Sequence, residues 1–441
     1  MSDSGETIQA RVAAAMITAP GSGQGKSMVT ATLARLHRNA GRRVRVFKHG
    51  PDYLDPMVLE KASGAPVYQL HPWMTGEAEC AWRLADAASE ADLVLVEGSM
   101  GLFDGNPSSA DLAVLGGLPA LPVIDAAGMA QTFGAVALGL ARYREDVPVH
   151  EVIANRIGSP GHGRMLAESL PEGIRLLGAV PRHEAMNIPD RHLGIVQAQE
   201  IQNLDEQLDA AAEVLQAAGL DQLPKEIQLS ARRPAPPPRL LEGCRIAIAR
   251  DRAFAFIYRA NTELLEAMGA SLDYFSPLAN ETVPEADAIW LPGGYPELHA
   301  AKLAGQSAFR DWLQAHHQAD RPILAECGGM MACMEALVDG DGERHAMAGL
   351  LPGESIMVGR LMGLGIQSLE TAAGSLRGHT FHHSRLETPL EPLAHTRRQR
   401  FDSAGEAVYS DKSLLASYFH SYFPSSPAAA AALFRRDEPL F

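Results

Sequence analysis

The sequence predicts an α/β protein made of two doubly wound domains, one after the other along the chain. Its 441 residues exceed what a single ordinary core holds. Short apolar segments alternate with helical segments in both halves, which is typical of parallel sheets covered by helices. Four prolines, at positions 234 and 236–238, separate the halves, because proline cannot continue a helix or a central strand. We therefore expect domains at residues 11–229 and 243–441, with a proline-rich linker at residues 230–242.

Apolar and β-branched runs indicate the strands. In the first half these runs are Ala13–Thr18, Val44–Lys48, Leu93–Glu97, Pro122–Asp125 and Glu151–Ile157. In the second half they are Arg245–Ala249, Ser271–Phe275, Ala288–Leu291 and Pro322–Ala325. Helical patterns occur between strands of the first half at Ser27–Ala40 and Ala81–Ala91. Because open parallel sheets bind ligands at the carboxyl ends of their strands, we expect functional residues directly after these runs.

Composition disfavours several classes of partner. The formal net charge of -15 argues against a nucleic-acid backbone, which needs a basic surface. No apolar run reaches the roughly 20 residues of a membrane helix, and the polar start Met1–Glu6 lacks the features of a secretory signal. The four cysteines form no C-x-x-C pair and are few for a disulfide scaffold. We expect a cytoplasmic protein that binds neither nucleic acid nor membrane.

A glycine-rich loop, Ala19–Ser27, directly follows the first predicted strand and opens a predicted helix. Gly23 and Gly25 let consecutive backbone N–H groups converge on phosphate oxygens, and a helix N-terminus adds favourable partial charge. Lys26 is expected to reach the terminal phosphates of a nucleotide, and the Ser27 hydroxyl to ligate Mg²⁺. The alternative is a glycine-rich turn beside a surface lysine, which the order of strand, loop and helix disfavours.

Acidic residues follow two further strands of the first half. Asp52 and Asp55 come after the second strand, Glu97 closes the next one, and Asp104 lies in the loop beyond it. An acidic residue that closes a buried strand needs a partner or a metal, and carboxylate and hydroxyl oxygens suit Mg²⁺. We therefore predict Ser27, Asp52 and Glu97 as magnesium ligands. The alternative for an aspartate in a glycine- and proline-rich turn is a backbone-bonding turn residue.

The second half carries the pattern of a nucleophile elbow, in which an apolar strand runs into a helix through glycines around Cys327. A helix N-terminus and a neighbouring imidazole favour the thiolate form of such a cysteine. His420, at the end of another apolar run, is the predicted partner. Gly293 and Gly294, together with Gly328, are predicted to present N–H groups to an oxyanion. The alternative is a small core cysteine, the commoner fate of a free thiol.

Taken together, these residues resemble the cobyrinate and hydrogenobyrinate a,c-diamide synthases of cobalamin biosynthesis. The shared motifs span nearly the whole chain and are Ala19–Ser27, Gly50–Pro56, Glu97–Gly105, Arg191–Gly194, Ala249–Phe254, Phe275–Pro277, Leu291–Glu297, Ala325–Gly329, Phe381–Arg385 and the segment around His420. The family is similar to dethiobiotin synthetase and tolerates the proline that stands at position 20, where the strict phosphate-loop pattern has glycine. The implied architecture is a dethiobiotin-synthetase-like domain followed by a glutamine amidotransferase domain.

The resemblance implies a ligase that converts the a and c side-chain carboxylates of a corrin ring into amides. Each amide consumes one ATP and one glutamine, through an acyl phosphate that ammonia displaces. Lys26, Ser27, Asp52 and Glu97 would bind phosphate and Mg²⁺.

The resemblance also implies roles for the remaining candidates. The residues that would contact the substrate are Tyr53, Leu54 and Asp55. Asp104 would act in activation of the carboxylate. Cys327 would attack the glutamine carboxamide to form a glutamyl thioester, while His420 shuttles protons.

One departure from the class I glutaminase pattern, a prediction for Asn155 and two alternative functions remain. Class I glutaminases usually carry a glutamate two residues after the histidine, and this chain has Tyr422 there, so we predict a Cys–His dyad. Asn155 ends a strand and is predicted to contact the nucleotide base, and the absent guanine motif N-K-x-D favours ATP. The same chemistry on nickel-sirohydrochlorin, or a P-loop switch ATPase acting on partner proteins, is the alternative function. The predicted partners are a corrinoid polycarboxylate, glutamine and ATP, and a homodimer is a compatible assembly.

Overall fold

The computed structural model describes residues 6–187, 200–281, 284–435 and 440–441. It contains two compact units, Met1–Ala235 and Pro236–Phe441. The division between them falls within the proline-rich stretch. The motif Arg191–Gly194, which forms part of the family resemblance, lies outside the described residues.

A mostly parallel sheet forms the centre of the first unit. Its strands are β1 (Thr7–Thr18), β2 (Val44–His49), β3 (Tyr68–Leu70), β4 (Leu93–Glu97), β5 (Ala120–Asp125), β6 (Glu151–Ile157), β7 (Arg175–Pro181) and β8 (Glu226–Arg232). Seven of them lie in the order β3-β2-β4-β1-β5-β6-β7, and β8 pairs with β1 in antiparallel fashion. The five strands predicted for this half are all present. The strands β2, β3 and β4 lie on one side of β1, and the strands β5, β6 and β7 lie on the other. The direction of winding therefore reverses beside β1, which makes this position a topological switch point.

Helices cover both faces of this sheet. They are α1 (Lys26–Asn39), α2 (Leu54–Ser63), α3 (Glu77–Glu90), α4 (Ser109–Gly116), α5 (Thr132–Arg142), α6 (Pro160–Glu168) and α7 (Leu204–Ala217). Apolar side chains of β1, β2 and β4 pack with α1, α2 and α7 in one core cluster. Side chains of α3 and α4 pack against other residues of β1 and β4 in a second cluster. Burial on both faces explains why these strands are almost continuously apolar.

Strand β1 is longer than predicted, since it begins at Thr7 rather than Ala13. Its first half pairs with β8, and its second half pairs with β5. Residues 230–232, which sequence analysis assigns to the linker, instead complete β8. The physical reason is that apolar side chains at positions 227, 229 and 231 pack with α3 in the second core cluster. This alternation of apolar and polar residues is the period-two pattern of a half-buried strand.

The second unit contains a ten-stranded sheet and a smaller four-stranded sheet. The strands are β9 (Arg245–Ala249), β10 (Ser271–Phe275), β11 (Ala288–Leu291), β12 (Ile323–Glu326), β13 (Met334–Val338), β14 (Arg344–Ala346), β15 (Leu351–Met357), β16 (Gly363–Thr371), β17 (Gly374–His382), β18 (Ser384–Glu387), β19 (Ala394–Arg398), β20 (Ala404–Asp411), β21 (Leu414–Ser417) and β22 (His420–Tyr422). The helices are α8 (Arg259–Ala267), α9 (Ala300–Ala304), α10 (Ser307–Gln318), α11 (Gly328–Cys333) and α12 (Pro427–Phe434).

The larger sheet of this unit has a parallel and an antiparallel part. Its order is β10-β9-β11-β12-β21-β20-β19-β16-β17-β22, and the strands from β10 to β21 are parallel. The predicted α/β architecture is confirmed, and the four strands predicted for this half are present. The antiparallel strands β16, β17, β19 and β20 were not predicted from the sequence, because they mix exposed and buried positions and lack long apolar runs. Within the described ranges, no helix combines the length and apolarity needed to cross a membrane.

Candidate active site

The predicted phosphate loop lies between β1 and α1, at the carboxyl edge of the first sheet. Gly23 and Gly25 have φ values of 77° and 92°, a left-handed conformation that glycine adopts without steric strain. Lys26 is the first residue of α1, and its Nζ donates to the Gly21 carbonyl oxygen at 3.3 Å. Burial lowers the pKa of Lys26, although the charge of Glu97 partly opposes this effect. The Lys26 side chain therefore stands, partly desolvated, at the start of the helix.

Three residues toward the ends of β5 and β6 hold the tip of this loop. Asn155 Nδ2 donates to the Gln24 carbonyl oxygen at 2.9 Å, and Arg156 Nη1 donates to the Gly23 carbonyl oxygen at 3.0 Å. Arg156 also pairs with Asp125 Oδ2 at 2.7 Å. The Asp125 backbone N–H donates in turn to Gln24 Oε1 at 2.8 Å. The conformation of the loop is therefore set by the neighbouring strands.

A cavity of about 260 Å³ opens beside the same loop. Its lining residues are Gly25, Met28, Asn155, Arg156, Pro181, Arg182, His183, Met186 and Asn187. A Cβ atom on Gly25 would lie 2.4 Å from Asn155 Nδ2, so glycine is required there. Asn155, which is predicted to contact a nucleotide base, thus both lines the cavity and supports the loop. A concave site with polar and apolar groups beside a phosphate loop suits a planar base.

A buried ion cluster lies where β2 and β4 end. Glu97 is fully buried, and its Oε1 accepts hydrogen bonds from Ser27 Oγ at 2.6 Å and from Lys48 Nζ at 2.8 Å. Lys48 also donates to Asp55 and lies 3.8 Å from Asp52 Oδ2. Burial opposes the charge on Lys48, but the carboxylates of Asp55 and Glu97 outweigh it and raise its pKa. The structure thus gathers Asp52, Asp55 and Glu97 around one lysine ammonium, and Ser27 joins the cluster through Glu97.

One carboxylate oxygen of this cluster lacks a hydrogen-bond donor among the described residues. In the part of the chain that the structure describes, Glu97 Oε2 is buried and has no hydrogen-bond partner. Burial, followed by the charge of Asp55, raises the pKa of Glu97 to about 7. A buried carboxylate oxygen without a donor is unfavourable unless a ligand or cation completes it. The hydroxyl and carboxylate donors present here fit Mg²⁺, which prefers such oxygens.

The segment from Asp52 to Asp55 leads into α2. Asp52 Oδ1 accepts from the backbone N–H groups of Leu54 at 2.8 Å and Asp55 at 3.1 Å, which is the turn role that sequence analysis weighs as an alternative. Burial and the charge of Asp55 raise the pKa of Asp52 to about 6. Tyr53 and Leu54 are largely buried, and the Asp55 carboxylate faces Lys48. Of the three predicted substrate residues, Asp55 therefore belongs to the ion cluster.

Asp104 lies in the loop between β4 and α4. Its Oδ2 accepts from the Gly101 N–H at 2.9 Å, and its negative charge acts on Lys26. The Leu102 N–H donates to the Ala19 carbonyl oxygen at 2.8 Å, which ties this loop to the phosphate loop. An exposed carboxylate is thus held beside the lysine that is predicted to contact phosphate.

In the second unit, Cys327 occupies the turn between β12 and α11. Its φ and ψ angles are 48° and -107°, an uncommon conformation for a residue with a Cβ and one that accumulates at functional turns. A Cβ atom on Gly329 would lie 2.0 Å from the Leu291 carbonyl oxygen, and one on Gly328 would lie 3.0 Å from Gly294 N. The glycines after Cys327 therefore let the elbow pack directly against the end of β11, as in other nucleophile elbows.

His420 opens β22 and is the cross-strand partner of His379 in β17. A Cβ atom on Gly293 would lie 3.4 Å from Cys327 Cβ and 3.1 Å from His420 Nδ1, so the two side chains flank the same glycine. The rings of His379 and His420 stack with centroids 4.9 Å apart. The Tyr258 hydroxyl and His379 Nδ1 are hydrogen-bonded at 3.0 Å. The thiol, the imidazole and the predicted oxyanion glycine thus converge, and His379 supports the catalytic candidate's ring.

Burial dominates the electrostatics of this pair. Burial, followed by the charge of Glu297, raises the pKa of the Cys327 thiol far above its usual range. Burial, followed by the charge of His382, lowers the pKa of His420 to about 3. Both groups are therefore neutral near neutral pH, whereas sequence analysis expects thiolate character. The reason is that desolvation outweighs the hydrogen bond from the Gly328 N–H, which lowers the thiol pKa.

Two buried charged residues of these sites, Lys48 and Glu326, were not predicted as functional from the sequence. Lys48 closes an apolar strand, a position where a lysine requires carboxylate partners, so its placement was a usable signal. Glu326 accepts from Trp290 Nε1 at 3.0 Å and from the Ser421 N–H at 2.8 Å. It therefore links the elbow to the strand that carries His420, and its position directly before the cysteine was the corresponding signal.

Comparison with known proteins identifies the domains and the family. A model described as a CobB/CobQ-like glutamine amidotransferase domain matches residues 245–428. A model described as a CobQ/CobB/MinD/ParA nucleotide binding domain matches residues 15–195.

Curated relatives match along almost the full length of the chain. Hydrogenobyrinate a,c-diamide synthase of Pseudomonas aeruginosa is 54% identical over 96% of this chain and 98% of the relative. The protein of the same name from Stutzerimonas stutzeri is 54% identical, again over 96% of this chain and 98% of the relative. Cobyrinate a,c-diamide synthase of Herminiimonas arsenicoxydans is 50% identical over 95% of this chain and 96% of the relative. This chain therefore belongs to the family of hydrogenobyrinate and cobyrinate a,c-diamide synthases.

Proposed function

We propose that this protein amidates the a and c side-chain carboxylates of cobyrinate or hydrogenobyrinate, using ATP and glutamine, in cobalamin biosynthesis. The observation that carries the proposal is one chain with two complementary sites: a phosphate loop beside buried carboxylates, and a Cys–His pair on an elbow. Full-length relatives named for this reaction support it. A carboxylate is a poor electrophile, so amidation requires both activation by phosphoryl transfer and a source of ammonia.

Activation occurs in the first unit. The phosphate loop holds ATP so that a corrinoid carboxylate oxygen attacks the γ-phosphorus, ADP departs and an acyl phosphate forms. Lys26 neutralises the charge of the phosphoryl group during transfer. Asn155 contacts the adenine from the wall of the 260 Å³ cavity. Tyr53 and Leu54 contact the corrinoid, and the exposed Asp104 orients its reacting carboxylate.

The magnesium site of this unit would be built from Ser27, Asp52 and Glu97. Mg²⁺ held by these residues would supply positive charge to neutralise phosphate oxygens. Lys48 bonds both Glu97 and Asp55 and so fixes the direction of these carboxylates. Its ammonium also balances part of the negative charge that three neighbouring carboxylates accumulate.

Ammonia is released in the second unit. The Cys327 sulfur attacks the carboxamide carbon of glutamine while its proton passes to His420, and N–H groups of Gly293, Gly294 and Gly328 stabilise the oxyanion. The C–N bond then breaks, ammonia leaves with the proton from His420, and a glutamyl thioester remains. Water cleaves the thioester to glutamate. Ammonia attacks the acyl phosphate, and the C–O bond to phosphate breaks to give the amide.

A product assay tests the proposal. Purified protein is incubated with ATP, Mg²⁺, glutamine and either cobyrinic or hydrogenobyrinic acid, and the products are identified by mass. We expect two amides on at least one corrinoid, with one glutamate and one ADP formed for each amide. Amidation of nickel-sirohydrochlorin alone would reassign the substrate. ATP hydrolysis without glutamate release would favour the switch ATPase, for which the glutamine amidotransferase domain at 245–428 has no use.

A homodimer is the assembly we propose, and molar mass from light scattering tests it.

Replacing Gly293 with alanine is expected to abolish glutamine hydrolysis while ammonia-dependent amidation continues. The new Cβ would lie 2.3 Å from His420 Cε1, so the imidazole must leave its position beside Cys327. Misplacement of a catalytic group by about 1 Å can cost roughly 100-fold in rate, and we expect a loss at least that large. Glutamate release and amide formation from ammonium chloride are the two measurements.

Gly305→Ala is the matched control for this substitution. The nearest atom to a Cβ on Gly305 lies at 3.4 Å, in ordinary van der Waals contact. This variant should hydrolyse glutamine at the wild-type rate. Normal hydrolysis by the Gly293→Ala variant would show that the imidazole beside Gly293 is not the proton carrier.

Replacing Asp104 with asparagine is expected to lower kcat for amidation by roughly 10- to 100-fold, with little change in the Kd for ATP. Asparagine keeps an oxygen that can accept from the Gly101 N–H, so the loop is preserved. The substitution removes the negative charge beside Lys26. Single-turnover amidation and equilibrium ATP binding separate the two effects. An unchanged rate would limit Asp104 to holding the loop.

A further inference from the structure

A second glutamate near the nucleophile has no role in the mechanism above. Glu297 belongs to the turn Pro296–His299, which follows β11 and the predicted oxyanion glycines. A Cβ atom on Gly328 would lie 2.8 Å from Pro296 Cδ, so this turn packs directly on the elbow. Glu297 is 8% exposed. After burial, its charge is the largest influence on the pKa of the Cys327 thiol, so the carboxylate lies near the nucleophile.

The carboxylate of Glu297 lacks a cation. Within the described ranges, its own backbone N–H is the hydrogen-bond donor that acts on it, and no positive side chain does so. Burial accordingly raises the pKa of Glu297 to about 7. A carboxylate buried without a compensating charge destabilises a fold, so its presence beside a nucleophile points to a cation supplied by the ligand.

Glu326 provides a comparison within the same site. It is also buried next to Cys327, and burial raises its pKa to about 7. Both of its oxygens are used, however, by Trp290 Nε1 at 3.0 Å and the Ser421 N–H at 2.8 Å. Two hydrogen bonds from other residues therefore offset the burial of the Glu326 carboxylate. Among the residues that the structure describes, the burial of the Glu297 carboxylate is offset only by its own backbone N–H.

We infer that Glu297 binds the α-ammonium group of glutamine and thereby selects glutamine over amides that lack an α-amino group. The inference rests on the proposed function, because it concerns the glutaminase half of that reaction. Glutamine carries one cation, separated from the carboxamide carbon by three carbon atoms. A carboxylate near the sulfur, on the turn that packs directly on the elbow, is suited to receive this cation when the carboxamide carbon is at the sulfur. A site built to bind a charged group strongly rejects an analogue that lacks it, because its own partner is then left unpaired.

The test compares hydrolysis of glutamine with that of 4-carbamoylbutyrate, which is glutamine without its α-amino group. We expect wild-type kcat/KM to favour glutamine by roughly 100-fold or more. Glu297→Gln should lower kcat/KM for glutamine by about 100-fold, while kcat/KM for 4-carbamoylbutyrate stays close to its wild-type value. Retained turnover of the analogue shows directly that the thiol site of the variant is folded.

Glu326→Gln is the matched control, since it alters an equally buried glutamate beside the same cysteine. It should change the two kcat/KM values in the same proportion and leave the preference for glutamine intact. A Glu297→Gln variant that loses both substrates equally, or that keeps the wild-type preference, overturns the inference. Equal hydrolysis of both amides by the wild type also overturns it, independently of any variant. Absence of hydrolysis of either amide by the wild type would instead refute the proposed function.

Discussion

Replacing Cys327 with alanine is expected to abolish glutamine hydrolysis and glutamine-dependent amidation, with a loss of roughly 10⁴-fold or more, as for nucleophile removal in other covalent enzymes. Alanine retains the elbow but removes the sulfur that forms the thioester. Amidation from high ammonium chloride should persist near the wild-type rate, because the acyl phosphate forms on residues of the first unit. Glutamate release and product mass, each measured with glutamine and with ammonium chloride, check both parts of this expectation.

Cys333→Ala is the control for this variant. Cys333 ends α11, the helix that follows the elbow, and burial raises the pKa of its thiol to about 12. An inert thiol in the core should leave glutamine hydrolysis intact when removed. Failure of ammonia to restore amidation in the Cys327→Ala protein would contradict the division of labour between the two units.

Replacing Glu97 with glutamine is expected to eliminate amidation with either nitrogen source. The substitution removes one charge from the predicted metal site and the anionic partner of both Ser27 and Lys48. A metal ligand of this kind contributes several kcal/mol to the transition state, so we expect a loss of at least roughly 100-fold. Glutamine hydrolysis, measured as glutamate release, should be unaffected because Cys327 and His420 lie in the other unit.

Glu90→Gln is the corresponding control, since the Glu90 side chain is 68% exposed and pairs with Arg45 at the surface. Because the Glu90 carboxylate is exposed, this pair contributes about 1 kcal/mol at most, so both activities should be retained. Titration of Mg²⁺ at saturating ATP adds a second measurement for Glu97→Gln. If that variant amidates normally at wild-type Mg²⁺ concentrations, Glu97 does not belong to the metal site.

The first unit was largely predictable because local pattern and tertiary structure agree there. The strand Leu93–Glu97 has the predicted bounds, and Ser27 meets Glu97 because parallel strands bring their carboxyl ends to one edge of the sheet. The order of strand, loop and helix likewise places Lys26 at the start of α1.

What could not be predicted depends on contacts between distant segments. Lys48 and Asp55 lie close along the chain, but the packing of β2 against β4 is what adds Glu97 as a third charged partner. The neutral state of Cys327 and His420 follows from complete burial, which no local motif reports. The stack of His379 on His420 depends on the register between β17 and β22, strands with little apolar signature.

The pairing of Thr7 with Arg232 bears on how the two activities can be studied apart. The first strand of the first unit, β1, pairs with its last strand, β8. The first sheet is therefore completed by the segment that leads into the second unit. Truncation at residue 229 would remove the last three residues of β8 and leave the start of β1 unpaired. An unpaired strand edge promotes aggregation. A dissection of the enzyme should therefore sever the chain among the prolines beyond Arg232, where no ladder is broken.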